Sequence, residues 1–270
     1  MNPYLELLRP SVCVMTVLAL LAGGIVAGTF SPSMAFALVL LAGFLICGSG
    51  NAINDYIDYK IDKISMPHRP IPSGRASREG AFRLFAVTGI SGLAAAWFVS
   101  LPFFGIALLN YVISTAYAYK LKKITFVKNI TVSWLAAASF LAAGFIPYEI
   151  ALGDALLLLA GISFLAAMSR EVLKDVRDAE GDKKEGVRTL AHAIGERNAK
   201  IFGFMLIYAA CIFLIAPFIL GTFSVYYWIG AVPAIATCIY ASIQPVRKAE
   251  KMIKVATYFV LIGFLLGSVL

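Results

Sequence analysis

Residues 34–62 read MAFALVLLAGFLICGSGNAINDYIDYKID, and this stretch decides how the chain folds. From Met34 to Ile53 it carries no charge. A helix of roughly 20 residues rises about 30 Å, the thickness of a bilayer's hydrocarbon core. No water inside a bilayer can satisfy an open backbone, so a run of this length crosses as a helix. The run then turns abruptly polar, at Asn54-Asp55-Tyr-Ile-Asp58-Tyr-Lys-Ile-Asp62. A membrane helix that ends in a row of carboxylates brings chemistry to one membrane face.

Comparable apolar runs recur on both sides of this one. They predict helices over 11–28, 33–55, 77–99, 101–120, 128–146, 151–175, 198–220, 223–243 and 252–270. Pro102, Pro147 and Gly221 fall at the breaks, as helix punctuation does. The composition agrees. The 270 residues are 60% hydrophobic and 14% charged, with mean hydropathy +0.85, whereas a soluble domain is about half apolar and a quarter charged. The first run, Ser11 to Gly28, lacks a basic leader and a small-residue cleavage site. It reads as a retained helix and not as a signal peptide.

Charge fixes the orientation. Apart from Arg9, the Lys and Arg residues fall within 60–83, 120–128, 170–200 and 247–254. With nine helices, Arg9 and all four groups emerge on one face, and the loops 28–33, 99–101, 146–151 and 220–223 hold no Lys or Arg. The positive-inside rule places that face, and the N-terminus, in the cytoplasm. Only Glu149 and Asp154 are acidic on the outer side. The predicted fold is an all-α integral membrane protein of the cell membrane, forming a single domain over 1–270. Its nine transmembrane helices surround a central cavity under cytoplasmic cap loops, with the active site facing the cytoplasm. The net charge of +8 then reflects topology and anionic lipid or substrate, not nucleic acid. Arg9 reads as an interfacial anchor. Cys13, Cys47, Cys211 and Cys238 lie in apolar runs and read as buried small residues. His68 and His192 lie in separate polar loops without ligand spacing. No obligate protein partner is evident.

The motif at Asn54 has a second copy. Lys174-Asp175-Val-Arg-Asp178-Ala-Glu-Gly-Asp182 follows it by 120 residues, with polar groups at the same offsets of 0, 1, 4 and 8. This spacing implies a parallel repeat of helices 1–4 and 5–8, with a ninth added. On a continuing helix, residues four apart rise about 6 Å and rotate only about 40°. Asn54, Asp58 and Asp62 then form one stripe, and Lys174, Asp178 and Asp182 another. Carboxylates stacked this way repel, more strongly near a low-dielectric interface, and a cation between them removes the cost. Hard oxygen donors suit Mg²⁺, which takes one or two carboxylates and binds substrate phosphates. Two stripes facing one cavity could hold two Mg²⁺ ions across a diphosphate. One DxxxD is compatible with a solvated helix end. Two copies at one spacing, each ending a membrane helix on one face, point to a site. Arg69 and Arg75 in the Pro-fixed loop after the first motif, Lys120 to Lys123, and Arg170, Lys174 and Arg188 supply cations for a leaving diphosphate.

These residues resemble the UbiA superfamily of intramembrane prenyltransferases. Its NDxxDxxxD motif matches Asn54 to Asp62, and its NRPIPSGR-like loop matches His68 to Arg75, with His in place of Asn. Its YxxLK element is similar to Tyr119-Lys-Leu-Lys122 in shortened form, with Asn129 following. Its KDxxDxEGD and GxxTL motifs match Lys174 to Asp182 and Gly186 to Leu190. Ala191 stands where many relatives have Pro, a change that bears on acceptor fit. The resemblance spans nearly the whole chain. It implies that Asn54, Asp58, Asp62, Asp178 and Asp182 hold two Mg²⁺, that Asn54, Tyr119, Lys122, Arg69 and Lys174 bind the diphosphate, and that Lys122, Arg69 and Lys174 assist its departure. Asp175 is expected as the base for the acceptor hydroxyl. The run from Arg170 to Gly186 looks most like the archaeal ether-lipid branch, which joins geranylgeranyl diphosphate to the sn-2 hydroxyl of geranylgeranylglyceryl phosphate, a lipid-like phosphate acceptor. One alternative is prenylation of an aromatic acceptor in a quinone or tetrapyrrole-lipid pathway. Another is a transporter, but the helix middles hold almost no ionisable residues to line a pathway.

Overall fold

The structure, a computed structural model, describes residues 2–184 and 188–270, and for 182–184 the backbone alone. The described residues are helical throughout, without a strand. In chain order the helices are α1 (Pro3–Leu8), α2 (Pro10–Val26), α3 (Met34–Ser65), α4 (Arg78–Trp97), α5 (Leu101–Tyr119), α6 (Val127–Leu141), α7 (Asp154–Lys184), α8 (Leu190–Ile194), α9 (Glu196–Phe213), α10 (Ala216–Ile219), α11 (Trp228–Ser242) and α12 (Val246–Val269).

Each expected apolar segment coincides with helix. Seven stretches have the length and hydropathy to cross a membrane among the described residues, beginning at Met34, Arg78, Leu101, Asp154, Glu196, Val225 and Val246. The expected first and fifth spans are shorter. α2 has 17 residues and α6 has 15. In the fifth, the backbone tightens after Leu141 into a 3₁₀ turn over Ala142–Phe145.

α3 has 32 residues and α7 has 31. At 1.5 Å per residue each is about 47 Å long, well beyond the hydrocarbon thickness. The excess lies at their C-terminal ends, where both motifs sit. Both motifs are therefore helical throughout, and Gly181 does not interrupt α7.

The chain packs as two compact units. One comprises residues 1–24, 29–121 and 142–151, and the other 25–28, 122–141 and 152–270. The first carries the first motif and the second carries the second. In the first unit α3 packs mainly on α4 and α5. A small cluster of Leu7, Ile71, Ala76 and Ala81, with Tyr56, Tyr59 and Leu84 against it, seats α1 and the 66–77 loop beside the polar end of α3. Inside that loop the Ala76 amide donates to the Pro70 carbonyl, and the Ser77 hydroxyl caps α4.

In the second unit, α7, α9, α11 and α12 share one core that includes Leu159, Ile207, Tyr227, Ile253 and Phe264. The fully buried Tyr227 hydroxyl donates to the Leu214 carbonyl at 2.8 Å. Ala191 is buried with Val172, Ala179 and Ala199, which docks α8 beside the second motif. α11 and α12 touch backbone to backbone. A Cβ at Gly230 would lie 2.2 Å from the Phe259 carbonyl oxygen and 2.3 Å from the Gly263 nitrogen. Backbone cannot swing aside as a side chain can. Gly230→Ala should therefore destabilise the second unit by about 1–3 kcal/mol, seen as a lower thermal midpoint in detergent. An unchanged midpoint would show that the two helices separate freely.

Candidate active site

In the first unit, α3 places Asn54, Asp58 and Asp62 along one face at intervals of one turn, and Asp55 beside them points inward. Asn54 and Asp58 are half-buried, whereas Asp55 and Asp62 are 4% and 5% exposed. A buried carboxylate needs a counter-charge, and two arginines supply it. Arg9 Nη2 lies 2.5 Å from Asp55 Oδ1. Arg69 Nη1 lies 2.7 Å from Asp62 Oδ2 and 3.5 Å from Asp55 Oδ1. Arg9 is thus more than an interfacial anchor, because it neutralises a buried motif residue. Arg69 and Asp62, expected as a diphosphate ligand and a metal ligand, are bonded to each other. A carboxylate has about four acceptor sites, so the Arg69 pair does not exhaust those of Asp62.

The loop after α3 is tied down at its outer edge. Arg75 donates to Glu6 at 2.7 and 3.2 Å and to the His68 carbonyl at 2.7 Å. The Arg75 guanidinium holds the Glu6 carboxyl below the usual carboxylate range. This tie persists at neutral pH and is lost only as the pH falls through that lowered value. Arg78 lies over the Tyr56 and Tyr59 rings, with 4.5 and 5.2 Å to the centroids.

In the second unit, α7 repeats the pattern. Lys174 is half-buried and donates to Glu171 at 2.8 Å. Asp178 is exposed and receives two bonds from Arg177, at 2.8 and 2.7 Å. Arg177 also pairs with Glu250 of α12, as does Arg170 at 3.9 Å. The Asp182 side chain lies outside the described residues, as do Gly186 and Val187. Asp175 is 4% exposed. Its Oδ1 lies 2.6 Å from Lys128 Nζ, and its Oδ2 accepts from Asn129 Nδ2 at 3.0 Å and from the Leu190 amide at 3.3 Å. A general base needs a free lone pair within reach of its proton. Asp175, expected as the base, is a buried carboxylate that already accepts from three donors.

Tyr119, at the end of α5, is 53% exposed, and Lys122 is half-buried in the 3₁₀ turn Leu121–Lys123. Sequence reasoning passed over Lys128, Arg177 and Glu250. Lys128 stood in a basic loop group, and no local pattern ties it or Glu250 to residues on α7.

The donors within each unit suit Mg²⁺: in the first, Asn54 and Asp58 are hard oxygen donors one turn apart, and in the second Asp178 is an exposed carboxylate. Among the described residues no three His, Cys, Asp or Glu side chains converge into a ready cage. Mg²⁺ needs none, since it binds through one or two carboxylates together with phosphate oxygens and water.

The sequence profile of the UbiA prenyltransferase family matches residues 13–265. The digeranylgeranylglyceryl phosphate synthase of Thermococcus kodakarensis is 34% identical over 274 residues, covering 98% of this chain and 97% of that protein. The protein of the same name from Methanothermobacter thermautotrophicus is 35% identical, covering 99% of this chain and 96% of that protein. A solved structure concerning digeranylgeranylglyceryl phosphate synthase in membranes superposes with a TM-score of 0.84 at 31% identity, over 99% of this chain and 98% of that one. A UbiA homolog from Archaeoglobus fulgidus bound to GPP and Mg²⁺ shares the fold, with a TM-score of 0.72 at 20% identity, over 99% of this chain and 100% of that one.

Proposed function

The chain belongs to the UbiA prenyltransferase family, and on that premise we propose that it transfers a geranylgeranyl group from geranylgeranyl diphosphate to the sn-2 hydroxyl of geranylgeranylglyceryl phosphate, forming digeranylgeranylglyceryl phosphate. Full-length relatives that carry the name of that synthase support this acceptor. The observation that carries the chemistry is the duplicated helix end. In both motifs the second residue, Asp55 or Asp175, is buried and ion-paired, while the polar residues one before and three after it, Asn54 and Asp58 or Lys174 and Asp178, stay accessible.

In this reading nine segments cross the cell membrane. The N-terminus and both motif-bearing ends lie on the cytoplasmic side, in keeping with the clustering of Lys and Arg. Asn54, Asp58, Asp62, Asp178 and Asp182 hold two Mg²⁺ ions. Bound Mg²⁺ supplies positive charge to the leaving diphosphate. Arg69, Lys122 and Lys174 donate to that diphosphate, and Asn54 and Tyr119 add neutral donors. Arg69 and Lys174 are each kept in place by a carboxylate, Asp62 and Glu171. Each exchanges that partner for phosphate oxygen when the donor binds. The allylic C–O bond breaks with its electron pair leaving on the diphosphate. The sn-2 oxygen bonds to the allylic carbon and passes its proton to the departing diphosphate. The polar loops keep water from the allylic cation meanwhile.

The test uses the purified protein in lipid, with labelled geranylgeranyl diphosphate, Mg²⁺ and three separate acceptors: geranylgeranylglyceryl phosphate, its unphosphorylated glycerol ether and an aromatic acid. Ether product from the glyceryl phosphate above all is the expected result. Product from the aromatic acid alone would keep prenyl transfer and discard the acceptor. No product from any acceptor, with a folded protein, would discard the enzyme reading.

A further inference from the structure

Asp55 and Asp175 occupy the same place in the two motifs and share one environment. Each is 4% exposed. Each is paired with a cation from the segment that leads into the first long helix of its own unit, Arg9 ahead of α2 and Lys128 at the start of α6. The backbone repeats as well. The described residues contain two non-glycine residues with positive φ, Arg9 at 51° and Phe126 at 68°. They immediately precede Pro10 and Val127, where α2 and α6 begin. A left-handed residue with a side chain costs energy unless the surroundings hold it; in the first unit that residue is itself the paired cation, Arg9, and in the second it is Phe126, two residues before the paired Lys128. A further lock is added in each. Arg69 reaches Asp55 from the loop after α3, and Asn129 and the Leu190 amide reach Asp175.

We infer that Arg9–Asp55 and Lys128–Asp175 are matched clamps, and that Asp55 and Asp175 are positioning residues that set the rotation of α3 and α7. Successive helical residues are separated by about 100°. Pinning Asp55 inward therefore fixes the direction of Asn54 and Asp58, and pinning Asp175 does the same for Lys174 and Asp178. The inference rests on the proposed diphosphate chemistry. It gives Asp175 a task other than that of a base.

The test compares Asp175→Asn, Lys128→Met, Lys128→Arg and the double variant Lys128→Met/Asp175→Asn. The measurements are thermal midpoint, Mg²⁺ half-saturation of geranylgeranyl diphosphate binding, and the pH profile of single-turnover transfer. Asn keeps the shape and acceptor oxygen of Asp175, so Asp175→Asn should lower the single-turnover rate less than about tenfold and leave the pH profile unchanged, whereas loss of a general base costs about 10²–10⁴-fold. Lys128→Met should lower the midpoint and raise the Mg²⁺ half-saturation by about 10–100-fold, the usual effect of releasing the groups that orient metal ligands. Lys128→Arg should restore both. The double variant should have a higher midpoint than Lys128→Met, because the stranded buried charge is gone. A loss of 10²-fold or more in Asp175→Asn with one limb of the pH profile removed, or an unchanged Mg²⁺ half-saturation in Lys128→Met, would overturn the inference. If Lys128→Met does not fold, Asp175→Asn and Lys128→Arg decide it. Wild-type protein that binds the donor with Mg²⁺ yet transfers nothing to the glyceryl phosphate would sink the acceptor reading and leave the clamps to be judged on binding and midpoint.

Discussion

Asp58→Ala and Asp178→Ala should each lower single-turnover prenyl transfer by at least about 10²–10³-fold, the loss seen when one preorganised electrostatic contact to a developing charge is removed. Both residues sit one turn after the first polar group of their motif, on the continuous helices α3 and α7. Neither is among the buried members of its motif. The Asp178 side chain is 49% exposed, so its removal leaves no cavity and no stranded buried charge. The thermal midpoint should accordingly stay within a degree or two of wild type, taking surface substitutions at about ±0.5 kcal/mol. Glu79→Ala serves as the comparison. It removes an exposed i, i+4 partner of Arg83, with both side chains 74% exposed, and should leave transfer intact. Activity lost together with the midpoint would mean that the two carboxylates serve the fold.

Arg69→Met should have the largest effect on stability, about 3–5 kcal/mol, the cost of breaking a buried pair and leaving its partner charged. Two carboxylates depend on Arg69. The side chains of Asp62 and Asp55 are 7% and 5% exposed, and Arg69 itself is 27% exposed. Asp55 keeps Arg9, but Asp62 loses the only cation paired with it among the described residues. Arg75→Met, in the same loop, breaks a pair whose side chains are 42% and 31% exposed. Solvent screens that pair, and the midpoint should not move measurably. Thermal or SDS-induced unfolding of both variants in matched micelles checks the contrast. Equal midpoints for the two variants would show that the Asp62 site is wetter than its burial indicates.

Much of this was legible in the sequence because it is local. The run from Met34 to Ile53 and its carboxylate ending lie on one helix, and period and hydropathy are local signals. The 120-residue repeat of the motif was visible for the same reason. The clamps were not. Arg9 lies 46 residues from Asp55, and Lys128 is similarly distant in sequence from Asp175, and nothing near either cation names its partner. Arg9 and Lys128 looked like ordinary basic residues at a membrane face. The left-handed turns were hidden as well, since Arg9 and Phe126 occupy conformations that a sequence usually marks with glycine. The shortness of α6 escaped notice because Ala142 to Phe145 is as apolar as the helix before it, and only the backbone shows the change to a 3₁₀ turn. The burial of Asp175 and its three donors were hidden for a related reason. A motif shows which residues recur, whereas burial shows which of them can meet a substrate.

In the proposed function both motifs act on one diphosphate through Mg²⁺. The most direct measurement is equilibrium binding of labelled geranylgeranyl diphosphate across a range of free Mg²⁺, for the wild type, Asp58→Ala and Asp178→Ala in the same lipid. The expected result is Mg²⁺-dependent binding in the wild type that is lost or weakened at least about tenfold in each variant. Full Mg²⁺-dependent affinity surviving in either variant would contradict it, by showing that one motif binds the donor without the other.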